Sequence, residues 1–167
     1  RYDDGSILPR IQEKAAKKNC WIAGSLLMDE HNTAFLVDPG GRVHARYDKI
    51  HLFDVPGLGS ESSYMEAGTE IVTTDMNGFR VGFAVCYDLR FPELFREQEA
   101  DLYIVPPAFS AKTGRDHWEV LVRARAIENL AYVIAPNQQG THPNGTTTWG
   151  HSMIVDPWGK ILAAASR

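Results

Sequence analysis

Cys86 stands at the end of a short apolar run, Phe79 to Val85, and is followed by Tyr87-Asp88-Leu89-Arg90-Phe91-Pro92-Glu93. A buried strand that breaks there into a turn and then a helix makes Cys86 an elbow residue, projecting from the sheet edge. The next backbone N–H groups, not yet committed to the helix, can bind an oxyanion. The helix N-terminus would favour the thiolate and lower the thiol pKa. A thiolate there can attack an amide or nitrile carbon and form a covalent intermediate. The competing reading is a small buried hydrophobe, the commonest fate of a free Cys. Cys20, beside Trp21 and away from any charge cluster, reads as a buried structural residue.

Two charged residues could serve such a nucleophile. Lys49 lies among Ile50, Leu52 and Phe53, company that could direct it into a site to stabilise a tetrahedral intermediate. It could equally be a surface Lys with a buried stem. Glu119 follows Asp116 by three residues at the expected start of a long helix, which suits a capping box. It could also pair with Arg123 one turn on, and a catalytic role needs it buried beside Lys49 or Cys86. His31, His44, His51, His117, His142 and His151 show no helical ligand pair, so no metal site is expected. A Cys–His dyad stays open, with His51, His117 and His151 flanking the segments of interest.

The elements that would position these residues alternate loosely. The spacing predicts a helix from Leu8 to Lys18, with Ile11 and Ala15 inward, then a strand from Trp21 to Leu27. Thr33–Val37 and Arg42–Tyr47 flank Asp38-Pro39-Gly40-Gly41, a hairpin signal. A turn-rich loop spans Val55 to Gly68. Pro92 fits the first turn of a helix. Leu102–Val105 reads as a buried strand, Asp116 to Leu130 as the clearest helix, and Ala131–Ala135 as a strand. Ser152–Val155 and Lys160–Ala164 form a second hairpin across Asp156-Pro157-Trp158-Gly159. The pattern implies an α/β fold with a mixed sheet and helices packed on it.

Composition excludes several classes. The 167 residues allow one domain with a sizeable core. A net charge of −4, with no Lys/Arg-dense stripe, argues against nucleic acid as partner. No apolar run is long enough to cross a bilayer. Two cysteines give neither a disulfide framework nor a zinc site, so the cytoplasm is the default compartment. The chain opens at Arg1 without a starting Met and reads as beginning in mid-sequence.

Four blocks together resemble the nitrilase superfamily of carbon–nitrogen hydrolases. Tyr47-Asp48-Lys49-Ile50-His51-Leu52-Phe53 is similar to the segment carrying that family's catalytic Lys. Gly82 to Glu93, with Cys86 inside it, is similar to its nucleophile segment. His117-Trp118-Glu119, followed by Arg123-Ala124-Arg125-Ala126-Ile127-Glu128-Asn129, is similar to the helix carrying its second glutamate. Gly150 to Gly159 is a further block.

The resemblance implies a Glu–Lys–Cys triad on an α-β-β-α sandwich with mixed sheets. Cys86 would be the nucleophile, Lys49 and the backbone N–H of Tyr87 would stabilise the oxyanion, and Glu119 would orient Lys49. Water would hydrolyse the thioester after ammonia or an amine leaves. No metal or organic cofactor is implied, and a homodimer or larger homo-oligomer is expected. The wording Cys-Tyr-Asp-Leu-Arg-Phe-Pro-Glu most resembles the amidase branch that includes deaminated-glutathione amidases and ω-amidases. Their substrates are small linear carboxamides that also bear a carboxylate. Arg90 is the candidate partner for that carboxylate, with an ion pair to Glu93 or Asp88 as the alternative. The family's general-base Glu lies upstream of the segments present, and a closing C-terminal segment is also expected to be absent. The chain therefore reads as the central portion, residues 1–167, of a carbon–nitrogen hydrolase domain. A non-catalytic module of the same fold, lacking the base, is the runner-up.

Overall fold

The computed structural model describes residues 5–57, 59–143 and 145–166. Helix α1, Ile7–Lys18, ends on Asn19 in the left-handed region, with Lys17 and Lys18 in its last turn. Strands β1 (Ile22–Met28), β2 (His31–Val37) and β3 (Val43–Asp48) form an antiparallel sheet in that order. The β2–β3 turn is built by Asp38, whose carboxylate accepts from the Gly40 and Arg42 N–H groups at 2.8 and 2.9 Å. Along β2 the side chains alternate, as the pleat requires. Phe35 and Val37 pack with Ala15, Leu8 and Ile11 of α1, while Ala34 and Leu36 enter the main core.

The loop after β3 contains a minimal hairpin, β4 (Asp54–Val55) with β5 (Gly59–Ser60), and a 3₁₀ turn at Glu61–Ser63. Then β6 (Thr73–Met76) pairs antiparallel with β7 (Phe79–Phe83). Their turn, Asn77-Gly78, has φ of 56° and 85°, the positive pair that a two-residue hairpin with right-handed strands demands. Next come α2 (Pro92–Gln98), β8 (Leu102–Ile104), α3 (Ala111–Asn129) and β9 (Tyr132–Ala135). Strands β7, β8 and β9 are parallel neighbours, so α2 and α3 are their crossovers. A hairpin of β10 (Gln139–Thr141) and β11 (Thr147–Trp149) follows. Antiparallel β12 (Met153–Val155) and β13 (Ile161–Ala164) complete a mixed sheet ordered β13-β12-β9-β8-β7-β6.

The main core lies between the two sheets and under the helices. Ala34, Leu36 and Tyr47 from the small sheet join Val81 and Phe83 of β7, while Trp118, Val122 and Ala126 of α3 pack over β9 and β12. Gly82, on the opposite face of β7, lies against Gln98 of α2. The layers therefore run α1, small sheet, large sheet, α2 with α3: the expected α/β sandwich with mixed sheets.

The sequence reading departs from this structure at three places. Helix α3 starts at Ala111, five residues before the expected Asp116, with Ser110 Oγ accepting from the Lys112 N–H as its cap. Asp116 is thus an interior residue and caps nothing. Gly114 is needed inside the helix because a Cβ there would stand 2.5 Å from the Trp149 side chain. Strand β6 and the β10–β11 hairpin were also not expected. Among the described residues, no helix is long and apolar enough to cross a membrane.

Candidate active site

Strand β7 ends at Phe83, and three residues later the chain turns at Cys86, whose φ is +50°. A side chain other than Gly held there costs about 1–3 kcal/mol, and such strain concentrates at functional sites. The turn continues as one 3₁₀ stretch, Cys86–Arg90, before α2 begins with Pro92 at its first position. Cys86 is partly exposed and opens on a cavity of about 630 Å³. Lys49, Glu61, Tyr87, Arg90, Lys112 and His142 line the same cavity.

Lys49 follows β3 directly. Its N–H donates to the Asn32 carbonyl at 3.0 Å, and its carbonyl accepts from Gly68 at 2.8 Å, so its backbone is held on both sides. Its side chain is 1% exposed and donates to Glu61 Oε2 in a buried ion pair. Glu61 is itself tied down: Oε2 accepts from the Phe53 N–H at 2.8 Å and Oε1 from Asn32 Nδ2 at 3.2 Å. Removing one member of such a pair strands a buried charge, which costs about 3–5 kcal/mol.

Burial pushes the Cys86 thiol above its ordinary value, opposed by the Lys49 charge and the Ala108 N–H and reinforced by Glu61. The expected lowering by a helix N-terminus is therefore not what the site shows. The residue opens a short 3₁₀ stretch in an apolar setting, and desolvation of the charged form outweighs the partial charges. A thiol of this kind needs a base or the Lys49 ammonium to ionise.

Arg90 lies with its guanidinium 5.5 Å from the Phe109 ring centroid and 6.0 Å from that of Tyr87. Among the described residues its hydrogen-bond contact is with His117 Nδ1 at 3.3 Å, and no carboxylate pairs with it. Neither Glu93 nor Asp88 is its partner. Asp88 is fully buried and engaged with Tyr47, His51 and Val85. The one carboxylate lining the cavity among the described residues, Glu61, is held by Lys49, so a bidentate cation without an acid partner is suited to an anionic ligand group.

The chain matches the model of the carbon-nitrogen hydrolase family over residues 3–167. This chain belongs to the carbon-nitrogen hydrolase family. It is 49% identical over 146 residues to the deaminated glutathione amidase of Synechocystis, covering 81% of this chain and 53% of that protein. Its fold superposes on the Caenorhabditis elegans NitFhit protein with a TM-score of 0.91 and 40% identity, over 98% of this chain and 43% of that one. A mutant amidase from Nesterenkonia, solved with the acetamide moiety of fluoroacetamide added at its active site cysteine, matches at a TM-score of 0.82. That amidase is 28% identical, with 95% of this chain and 62% of that one covered. The chain spans about half the length of the curated relatives it matches.

In this carbon-nitrogen hydrolase domain the structure brings Cys86, Lys49, Tyr87 and Arg90 to one cavity, and it does not bring Glu119 there. Glu119 sits in the third turn of α3, about half exposed, and pairs with Arg123 at 3.3 Å. The acid beside Lys49 is Glu61 instead. Sequence reasoning missed it because Gly59-Ser60-Glu61-Ser62-Ser63 has the composition of a solvated loop. Only the tertiary fold brings its 3₁₀ turn onto the end of β3. Cys20, in the connection between α1 and β1, is exposed and not buried as expected. No histidine hydrogen-bonds to Cys86 among the described residues, although His142 lines the cavity. No group of three potential metal ligands occurs among them either.

Proposed function

We propose that this chain is the catalytic portion of a Cys-dependent amidase acting on a small linear carboxamide that also bears a carboxylate. The observation that carries this reading is the buried Lys49–Glu61 pair in the cavity onto which Cys86 opens. The Cys86 sulfur adds to the amide carbon as thiolate. The oxyanion is held by the Lys49 ammonium and the Tyr87 N–H. Glu61, with both oxygens occupied, fixes Lys49 in place. The C–N bond then breaks, and the nitrogen takes a proton and leaves as ammonia or an amine. Water adds to the thioester, the C–S bond breaks, and the acid and the free thiol are released.

The thiol proton passes to a carboxylate base, for which the resemblance supplies a separate upstream glutamate. Arg90 receives the substrate carboxylate. The names of the Synechocystis relative and the Nesterenkonia amidase support this chemistry. The exposed Val120, Ile127 and Leu130 on and beside α3 favour a homo-oligomer covering that face, and the free thiols suit the cytoplasm. One observation favours a non-catalytic module instead. Glu61 is the one carboxylate lining the cavity among the described residues, and it is already engaged.

The test is ammonia release from a short ω-carboxamide acid such as a deaminated-glutathione analogue. Release by this chain that disappears in Cys86→Ala establishes the amidase. A folded chain that releases none favours the module.

A further inference from the structure

Asp88 lines no part of the cavity, yet its carboxylate bonds to both segments that build the reacting pair. Oδ2 accepts from the Val85 N–H at 2.8 Å, and Val85 directly precedes Cys86. The same oxygen accepts from the Tyr47 hydroxyl at 2.9 Å, two residues before Lys49. Oδ1 accepts from the His51 N–H at 2.9 Å and meets His51 Nδ1 at 2.8 Å, two residues after Lys49. The carboxylate is fully buried, and its bonds to Val85 and Tyr47 form out of competition with water, while those to His51 are partly buried.

We propose that Asp88 is a positioning residue, which clamps the Cys86 elbow to the Lys49 segment and so sets where the sulfur stands relative to the ammonium. This rests on the reading of Cys86 and Lys49 as the reacting pair. Three features support it. Cys86 occupies the left-handed region, a conformation that persists only when the surroundings impose it, and the bond to the Val85 N–H imposes it from one residue away. The four donors converge on acceptor-only oxygens. A carboxylate suits all four, whereas an amide would turn its NH₂ against at least one. Those donors are themselves fixed. The His51 ring is stacked on Phe91 at 3.7 Å, and Tyr47 is fully buried, with burial and the Asp88 charge keeping its phenol protonated. Against a carboxylate, His51 Nδ1 carries the proton.

The test compares Asp88→Asn and Tyr47→Phe with wild type, and with Val133→Ala as a core variant outside the clamp. Each is measured for thermal midpoint, kcat and KM on the ω-carboxamide acid, and iodoacetamide alkylation of Cys86 with Cys20 as internal reference. In Asp88→Asn, kcat should fall on the order of 10²-fold with KM little changed, the scale of a roughly 1 Å misplacement. The Asp88 charge by itself raises the Cys86 thiol, so its removal alone would speed alkylation; the clamp instead requires alkylation to slow about tenfold, because the sulfur relaxes away from Lys49 and loses thiolate. Cys20 should react as before. Tyr47→Phe should move both readings the same way by less, and Val133→Ala should lower the midpoint and neither rate.

A folded Asp88→Asn within about twofold of wild type in both readings overturns the clamp, and so does a Val133→Ala that reproduces the losses. If Asp88→Asn does not fold, an unchanged Tyr47→Phe overturns it. If wild type turns over no amide, the amidase reading fails on its own, and the alkylation rates alone decide the clamp.

Discussion

Lys49 and Glu61 lie twelve residues apart and meet as an ion pair whose side chains are 1% and 8% exposed. A pair this dry couples stability to function. Lys49→Ala or Glu61→Ala should lower unfolding free energy by about 3–5 kcal/mol in urea titrations, and either should abolish turnover. The double change Lys49→Met with Glu61→Gln, which leaves no lone charge, should recover much of the stability and none of the activity. Glu119→Gln removes only a half-exposed pair with Arg123, worth at most about 1 kcal/mol, and should leave turnover intact. A loss of turnover in Glu119→Gln would reverse the assignment of the two acids.

The raised Cys86 thiol has a pH signature. A thiol held protonated by burial contributes stability that is present below its unfolded value and is lost as pH rises through the folded one. Stability should therefore decline more steeply on the alkaline side in wild type than in Cys86→Ala. Because the Lys49 charge draws the thiol downward, Lys49→Met should move the alkylation profile of Cys86 further to high pH. A profile that moves to lower pH would mean the Lys49 charge does not act on the sulfur.

Arg90 should act through charge. With no acid partner among the described residues and a place on the cavity wall, Arg90→Gln should lower kcat/KM for a carboxylate-bearing amide by about 10–100-fold. That corresponds to a charge-assisted hydrogen bond of about 1.5–3 kcal/mol. A neutral amide of the same length should be nearly unaffected. Equal losses on both substrates would make Arg90 a packing residue for Phe109 and Tyr87.

Gly114 tests how α3 meets the β10–β11 hairpin. A Cβ there would approach the Trp149 side chain at 2.5 Å. Gly114→Ala should therefore destabilise by about 1–3 kcal/mol through overpacking, despite gaining up to about 1 kcal/mol in helix propensity. A higher thermal midpoint in Gly114→Ala would show that the hairpin yields freely.

Much of this architecture was legible before the structure. The Asp38-Pro39-Gly40-Gly41 and Asp156-Pro157-Trp158-Gly159 turns, the start of α2 at Pro92 and the elbow at Cys86 all carry local signals, and each lies where the sequence put it. What was not legible depends on distance along the chain. Glu61 gains its meaning only from a loop folding back twelve residues onto Lys49. Helix α3 runs through Gly114 because Trp149, thirty-five residues on, occupies the space a side chain would need. The fate of the Cys86 thiol turned on burial, which an elbow motif does not report.

The central claim is that Cys86 forms an acyl thioester during amide cleavage. The most direct measurement is the mass of the Cys86 peptide after acid quench during turnover of the ω-carboxamide acid, compared with Lys49→Ala. The account requires an added acyl group on Cys86, absent from Cys20 and absent or greatly reduced in the variant. Turnover with Cys86 unmodified, in a chain whose Cys86→Ala variant keeps its activity, would contradict it.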